Sequence, residues 1–148
     1  MRRMLPDNTR RSLPMVLLRA REAVMARFRP MLARHDVTEQ QWRVLRVLNE
    51  TGPLEATELA GRANVLAPSL TRMLKTLEER KLISRQRVKG DGRRATLAIT
   101  AAGSVLIEEL SPERSLIYRD IERRYGKESM AKLLDLLEAL IESENRDY

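Results

Sequence analysis

The chain has 148 residues, a length typical of one domain, and it contains no cysteine, which excludes disulfide bonds and thiol chemistry. Its formal net charge is +7, and it contains no run of about 18 apolar residues that could cross a membrane. The basic and then apolar N-terminus is soon interrupted by Arg19, Arg21 and Glu22 and lacks a small-residue cleavage site, so we expect a cytoplasmic protein.

The positive charge is concentrated in the middle of the chain. Residues 62–94 contain ten Lys or Arg and three Asp or Glu, a net charge of +7 for that segment alone. Residues 95–148 contain seven Lys or Arg and eleven Asp or Glu. A focused positive surface is typical of proteins that bind a polyanion, most often nucleic acid. A well-solvated surface would give the same composition.

The first predicted helix begins after Ser12, which can cap it, with Pro14 in the first turn. Its apolar residues recur at three- and four-residue steps and form two stripes, Leu13, Leu17, Ala20, Val24, Phe28 and Met31 on one side and Leu18, Met25 and Leu32 on the other. A helix that is apolar on two sides needs more than one neighbour.

A second helix begins at Thr38, which forms a capping-box pattern with Gln41, and ends at Thr51-Gly52-Pro53. A short helix is predicted around residues 56–62. A basic helix follows, with Pro68 in its first turn and a buried stripe of Leu70, Met73, Leu74 and Leu77.

The opposite face of this basic helix, here called the basic face, offers only hydrogen-bonding groups and cations: Ser69, Thr71, Arg72, Lys75 and Thr76. No acid occurs before Glu78. Because acids stabilise a helix N-terminus, their absence favours an external anion such as a phosphate at this end.

Two β-leaning segments, residues 82–89 and 95–99, flank the turn Gly90-Asp91-Gly92 and predict a β-hairpin with cations near its tip. Helix, short helix, basic helix and hairpin in this order predict a winged helix-turn-helix within a mainly α-helical fold. The hairpin would be the wing.

The C-terminal part is predicted to be helical. Thr100 can cap a long helix, which Pro112 should end or kink near Ser111, and a final helix runs from about Lys127 to Glu144. These helices and the first one hold more apolar surface than one chain of this size can cover. We therefore predict a helical dimerisation region formed by residues 12–36 and 101–148 of two chains, with the DNA-binding region at residues 37–100 and a flexible basic arm at residues 1–11.

Several motifs resemble the MarR family of winged-helix regulators over residues 12–144: "ELA" in the short helix, "LTRMLKTLEERKLISR", and "DGRR…LAIT…G" in the wing. The stretches "SLP…LLRAREAVM…FRP" and Val37–Arg46 resemble a subgroup that represses operons for homoprotocatechuate or 4-hydroxyphenylacetate breakdown. The resemblance implies a homodimer that binds a pseudo-palindromic double-stranded DNA site and is released by a phenolic or aromatic carboxylate. The wing departs from the common Asp-x-Arg-Asp-x-Arg pattern, and Glu55 replaces the Ser or Thr that often begins the short helix.

The expected DNA contacts lie on the basic helix and the wing. Arg72 is the best candidate for a base edge, since arginine can bind guanine through two hydrogen bonds. At the wing tip we expect Arg93 and Arg94 to reach phosphates or the minor groove, with Asp91 orienting one guanidinium. The full set is Ala67, Pro68, Ser69, Thr71, Arg72, Lys75, Arg85, Arg87, Lys89, Asp91, Arg93 and Arg94.

The resemblance places an effector pocket near the junction of the first two helices. The residues within reach are Met15, Leu18, Arg19, Trp42, Arg43 and Arg46, and a buried arginine there would bind a carboxylate strongly. Trp42 can equally be a core residue, and the sequence does not decide which arginine would bind.

Catalysis is not expected, because the chain has one histidine, no cysteine and no Gly-rich phosphate loop. No metal or cofactor is predicted. Two alternatives remain at this point: a ligand-independent winged-helix protein that binds DNA or RNA, and a helical adaptor whose basic face binds an acidic protein.

Overall fold

The computed structural model describes residues 9–146, which form one 3₁₀ turn, six α-helices and three short strands. The 3₁₀ turn is Thr9–Arg11. The elements that follow are α1 (Leu13–Arg34), α2 (Glu39–Thr51), β1 (Leu54–Glu55), α3 (Ala56–Ala63), α4 (Ala67–Glu79), β2 (Ile83–Arg87), β3 (Ala95–Ile99), α5 (Ala101–Tyr125) and α6 (Lys127–Asn145). Within the described residues, no helix is long and apolar enough to cross a bilayer.

The N-terminal arm is described only from Thr9. Residues 9–11 form the 3₁₀ turn, in which the Ser12 hydroxyl donates to the Thr9 carbonyl at 2.9 Å. Arg2 and Arg3, the other arginines of the predicted arm, lie outside the described residues.

The predicted starts of α1 and α2 are confirmed by their capping bonds. The Ser12 hydroxyl accepts a hydrogen bond from the Met15 amide, and Pro14 lies in the first turn of α1. At α2 the Gln41 amide donates to the Thr38 hydroxyl at 3.1 Å, and the Thr38 amide donates to the Gln41 side chain at 3.0 Å. This reciprocal pair satisfies two amides that would otherwise have no partner at the helix end.

The sheet has three antiparallel strands in the order β1-β3-β2, although the sequence predicts only the hairpin. β2 and β3 pair from Ile83↔Ile99 to Arg87↔Ala95, and β1 adds Leu54↔Leu97 and Glu55↔Thr96. A strand of two residues has no alternating pattern, so its sequence does not reveal it. β1 places the start of α3 directly beside the base of the wing.

The hydrophobic core lies between α2, α3, α4 and the sheet. The four apolar residues predicted for α4 are all buried. The most completely buried members of this core are Val44, Leu45, Leu48, Leu59, Leu77 and Leu97. The core therefore fixes one face of α4 and leaves its opposite face in solvent.

The sequence predicts that Pro112 ends or kinks the long helix near Ser111, and the structure shows that Pro112 does not end it. α5 continues from Ala101 to Tyr125 with Pro112 inside it. An internal proline removes one helical hydrogen bond and costs about 3 kcal/mol, but good helix formers surround it, namely Glu108, Glu109, Glu113 and Arg114. The chain nevertheless divides at this point into two compact units, one up to Ser111 and the other from Pro112 onward.

Each unit leaves large apolar side chains exposed. α1 buries only residues of its C-terminal part, Phe28, Met31 and Leu32. Its exposed apolar residues are Leu13, Val16, Leu17, Leu18 and Val24, and those of α6 are Leu133, Leu134, Leu136 and Ile141. Exposed apolar side chains in such numbers are typical of surfaces that another protein covers.

Candidate nucleic-acid interface

The solvent-facing side of α4 is cationic and hydrogen-bonding. All members of the basic face are exposed, as are Ala67 and Pro68 in the first turn. Among residues 9–146, no carboxylate forms an ion pair with Arg72 or Lys75. The first turn contains no acid, and its N-cap residue Leu66 has no side-chain oxygen to cap the first amides. Backbone amides and free cations therefore point away from the protein at this end of α4.

The threonines of the basic face have a restricted role. The Thr71 hydroxyl donates to the Ala67 carbonyl, and the Thr76 hydroxyl donates to the Arg72 carbonyl, each at 3.3 Å. The hydroxyl proton is thus occupied within the helix. Toward a ligand Thr71 can offer oxygen lone pairs and its methyl group.

A groove with a volume of about 400 Å³ runs between the start of α2 and the basic face. It is lined by Thr38, Gln40, Gln41, Pro68, Ser69, Arg72, Met73 and Thr76. The sequence prediction did not include the α2 residues in the interface. The sequence feature that could have indicated them is Gln40, a polar residue that is exposed and takes no part in the capping box.

The wing turn is built around glycine and one carboxylate. Gly90 adopts φ 87°, in the left-handed region that favours glycine. The Val88 amide donates to the Arg94 carbonyl at 2.9 Å. The Asp91 carboxylate accepts a hydrogen bond from the Arg93 backbone amide at 3.0 Å, whereas we expected it to orient an arginine guanidinium. Asp91 therefore shapes the turn itself.

The wing cations fall into two groups. Arg94 donates through Nε to Glu55 Oε1 at 2.8 Å, and Arg85 donates through Nε to Glu78 Oε1 at 3.0 Å. Within the described part of the chain, the other three have no ion-pair partner: Arg87, Lys89 and Arg93. Only this second group has its full charge available to a ligand.

A second candidate site lies beside Trp42, which is 5% exposed and so is a core residue, as the sequence allowed. The Trp42 and Phe28 rings lie 5.7 Å apart, and the Arg46 guanidinium lies over the Trp42 ring at 5.3 Å. A cavity of about 220 Å³ adjoins the ring and is lined by residues of α2 and α3: Trp42, Arg43, Arg46, Val47, Glu50, Arg62 and Ala63.

Arg43 stands out in this cavity because its charge is poorly compensated. Its Nη1 lies 3.7 Å from the Glu39 carboxylate, which also pairs with Arg21 and Arg29 of α1. Its Nε is buried and has no hydrogen-bond partner in the described residues. Burial lowers the pKa of the Arg43 guanidinium, and the nearby positive charge of Arg21 lowers it further. A buried N–H without a partner is costly, so an incoming anion would relieve it.

The three effector candidates of α1 are placed elsewhere. Met15, Leu18 and Arg19 lie in its first two turns, and the described residues that line the Trp42 cavity include none from α1. His35 is half-buried at the end of α1, with Nδ1 3.1 Å from the Met31 carbonyl oxygen.

Comparison with known proteins identifies the group to which this chain belongs. The model of the MarR family matches residues 37–95. The chain is 43% identical over 129 residues to the HTH-type transcriptional regulator FarR of Neisseria gonorrhoeae, which covers 87% of this chain and 88% of that protein. The chain belongs to the MarR family.

Two further similarities refine this assignment. The chain is 40% identical over 130 residues to the homoprotocatechuate degradative operon repressor of Escherichia coli, covering 88% of each chain. It aligns with the crystal structure of NadR in complex with 4-hydroxyphenylacetate at a TM-score of 0.78 and 42% identity, over 93% of this chain and 97% of that one. The predicted fold class is confirmed, and this MarR-family chain is a DNA-binding transcriptional regulator and not an enzyme.

Proposed function

We propose that this regulator binds a pseudo-palindromic operator as a homodimer, represses genes for the breakdown of a hydroxyphenylacetate or related aromatic acid, and is released from DNA by that acid. The observation that carries the proposal is the basic face of α4, where Arg72 and Lys75 have no carboxylate partner within residues 9–146. Unpaired cations at the start of an exposed helix suit the phosphates and base edges of a DNA groove.

In this proposal α4 enters the major groove. Arg72 would bind a guanine through two hydrogen bonds, which is worth about 1–3 kcal/mol of discrimination against another base. Ser69 and Thr71 would contact phosphate or a thymine methyl. Arg87, Lys89 and Arg93 would extend along the neighbouring minor groove, whose negative potential favours arginine.

The exposed apolar residues of α1 and α6 support the homodimer. Residues 12–36 and 101–148 of two chains would cover these side chains in a helical dimerisation region, leaving residues 37–100 of each chain for one half-site. To bind both half-sites, the two α4 helices must lie one DNA turn apart, roughly 34 Å.

The cavity beside Trp42 suits an aromatic acid. The ring of the acid would lie against the apolar part of the lining, and its carboxylate would reach Arg43, whose buried Nε lacks a partner in the part of the chain that the structure describes. An arginine and a carboxylate can form two parallel hydrogen bonds. Arg46 is less suited to this role, because it already lies over Trp42 and pairs with Glu50 at 3.4 Å. The relatives named above, a repressor of homoprotocatechuate degradation and NadR with 4-hydroxyphenylacetate, support this class of effector.

Release requires that the acid bind one dimer conformation better than another. A ligand shifts an equilibrium only by the difference in its affinity for the two states. The favoured state would hold the two α4 helices at a spacing that does not match the DNA turn.

The test is a fluorescence-anisotropy titration of a duplex selected by this protein from a random pool. Saturating 4-hydroxyphenylacetate should weaken binding at least tenfold, whereas 4-ethylphenol, which lacks the carboxylate, should not. If affinity for the selected duplex is the same with and without each acid of a hydroxylated aromatic panel, the protein is a ligand-independent regulator. Equal affinity for random duplex or RNA would favour the architectural alternative.

A further inference from the structure

We infer that two ion pairs, Glu55–Arg94 and Glu78–Arg85, brace the wing against the two ends of the helix-turn-helix, so that Arg94 and Arg85 position the wing and do not contact DNA. This inference rests on the DNA-binding mode proposed above. It divides the predicted contacts into positioning residues and the DNA-directed cations Arg87, Lys89 and Arg93.

The Glu55–Arg94 pair closes one side of the wing. Glu55 pairs through its backbone with Thr96 of β3, which follows Arg94 by two residues in the chain. This pairing places Glu55 close to Arg94. Arg94 then donates through both Nε and Nη2 to the same Glu55 oxygen. Two donors on one oxygen fix the direction of the guanidinium and hold the end of the wing turn to the first residue before α3.

The choice of glutamate at this position supports the inference. Glu55 is the N-cap residue of α3, where a Ser, Thr, Asp or Asn side chain would stabilise the helix by accepting an amide hydrogen bond. Its side chain makes no such bond. The carboxylate instead accepts hydrogen bonds from Arg94. The unusual cap residue therefore serves to hold the wing arginine.

The Glu78–Arg85 pair closes the other side. Arg85 Nε and Nη2 both lie 3.0 Å from Glu78 Oε1, which joins β2 to the last turn of α4. One strand of the wing is thus held at the start of α3 and the other at the end of α4. The wing and the basic face are thereby kept in one fixed relation.

We expect the two ion pairs to affect DNA binding more than folding stability. The Arg94 and Glu55 side chains are 58% and 41% exposed, and ion pairs at such exposure contribute little to folding stability. Each pair also cancels one positive charge, so Arg94 and Arg85 add little to the counterion release that dominates affinity for phosphates.

The experiment compares Arg94→Ala with Arg93→Ala by measuring affinity for the selected duplex over a range of salt concentrations. Arg93 is the neighbour of Arg94 and has no ion-pair partner within residues 9–146. Arg93→Ala should reduce the slope of log affinity against log salt by about 0.9 for each wing, because one phosphate contact is lost. Arg94→Ala should change that slope much less than Arg93→Ala does and lower affinity about fivefold near physiological salt, the effect of two weak ion pairs.

A double-mutant cycle supplies the second readout. Glu55→Ala should weaken binding as Arg94→Ala does, and the double variant should be no weaker than either single one. If Arg94 contacts DNA, Arg94→Ala will lower the salt slope as much as Arg93→Ala, and Glu55→Ala will strengthen binding by freeing a cation; either result overturns the inference. Should Glu55→Ala fail to fold, Glu55→Gln keeps the shape and removes the charge. If the wild type selects no duplex, the proposed DNA-binding mode fails instead.

Discussion

Replacing Gly103 with alanine should destabilise this protein, although alanine is the better helix former. Gly103 lies in the first turn of α5, and a helical Gly→Ala change normally gains about 1 kcal/mol. A Cβ at this position would lie 2.3 Å from the Leu82 carbonyl oxygen and 2.6 Å from Ile99 Cγ1. Both distances are far below van der Waals contact, so the sign depends on whether these neighbours can move.

The neighbours of Gly103 are held by hydrogen bonds. The Leu82 carbonyl accepts from the Thr100 amide at 3.0 Å, and the Thr100 hydroxyl donates to the Lys81 carbonyl at 2.7 Å. The same hydroxyl accepts from the Gly103 amide at 3.1 Å. A backbone oxygen cannot rotate away, so α5 would have to shift from the sheet. Overpacking of this kind costs up to about 3 kcal/mol, and subtracting the helix-propensity gain of about 1 kcal/mol leaves a net loss of up to about 2 kcal/mol.

The assay is urea unfolding followed by circular dichroism, at one protein concentration for all variants because dimerisation would link stability to concentration. Gly61→Ala in α3 is the matched control. A Cβ added at Gly61 would meet no atom of the described residues within 4 Å beyond its chain neighbours and its own helix backbone, and its φ lies outside the left-handed region. That change should raise the free energy of unfolding by about 1 kcal/mol. The reasoning is refuted if Gly103→Ala stabilises the protein as much as Gly61→Ala does.

Three further predictions concern the cap, the DNA contact and the effector. Thr38→Ala removes one half of the α2 capping box and should cost about 1 kcal/mol in urea unfolding, with no loss indicating that the box contributes nothing. Arg72→Ala should lose about 1–3 kcal/mol of discrimination at one guanine of each half-site, measured by competition between duplexes, and uniform weakening at all sequences would instead indicate a phosphate contact. Arg43→Lys should weaken hydroxyphenylacetate binding about tenfold or more in calorimetry, because lysine cannot form two parallel hydrogen bonds to a carboxylate, and should leave duplex affinity unchanged. Unaltered effector affinity would exclude Arg43 as the residue that binds the carboxylate.

Features determined by neighbouring residues could be predicted from the sequence. The capping box at Thr38 depends on residues three apart, and the buried stripe of α4 depends on helical spacing. The basic face followed from that stripe, because positions that are not buried on a helix must be exposed. These local patterns were sufficient to predict where α4 and the wing lie along the chain.

Features determined by tertiary contacts could not be predicted in this way. Glu55 and Arg94 are 39 residues apart, and only the pairing of β1 with β3 brings them together. Asp91 had two nearby partners, an amide and a guanidinium, and the turn geometry selected the amide. Pro112 was expected to end or kink α5, and it does not end the helix. A local rule gives only the cost of an internal proline and not the contributions that offset it.

The effector site was only partly predictable. The family resemblance placed Trp42, Arg43 and Arg46 near a candidate effector pocket, but the sequence did not distinguish the two arginines. The structure separates them, because Arg46 lies over the Trp42 ring whereas Arg43 has a buried Nε without a partner among the described residues.

The most direct test of the account is the stoichiometry and spacing of the DNA complex, since its central claim is that two chains present two α4 helices one DNA turn apart. Native mass spectrometry should find two chains on one selected duplex. Inserting about five base pairs, half a helical turn, between the half-sites should abolish tight binding, because the second α4 would then face the opposite side of the duplex. A single chain bound per duplex, with affinity unchanged by the insertion, would contradict the account.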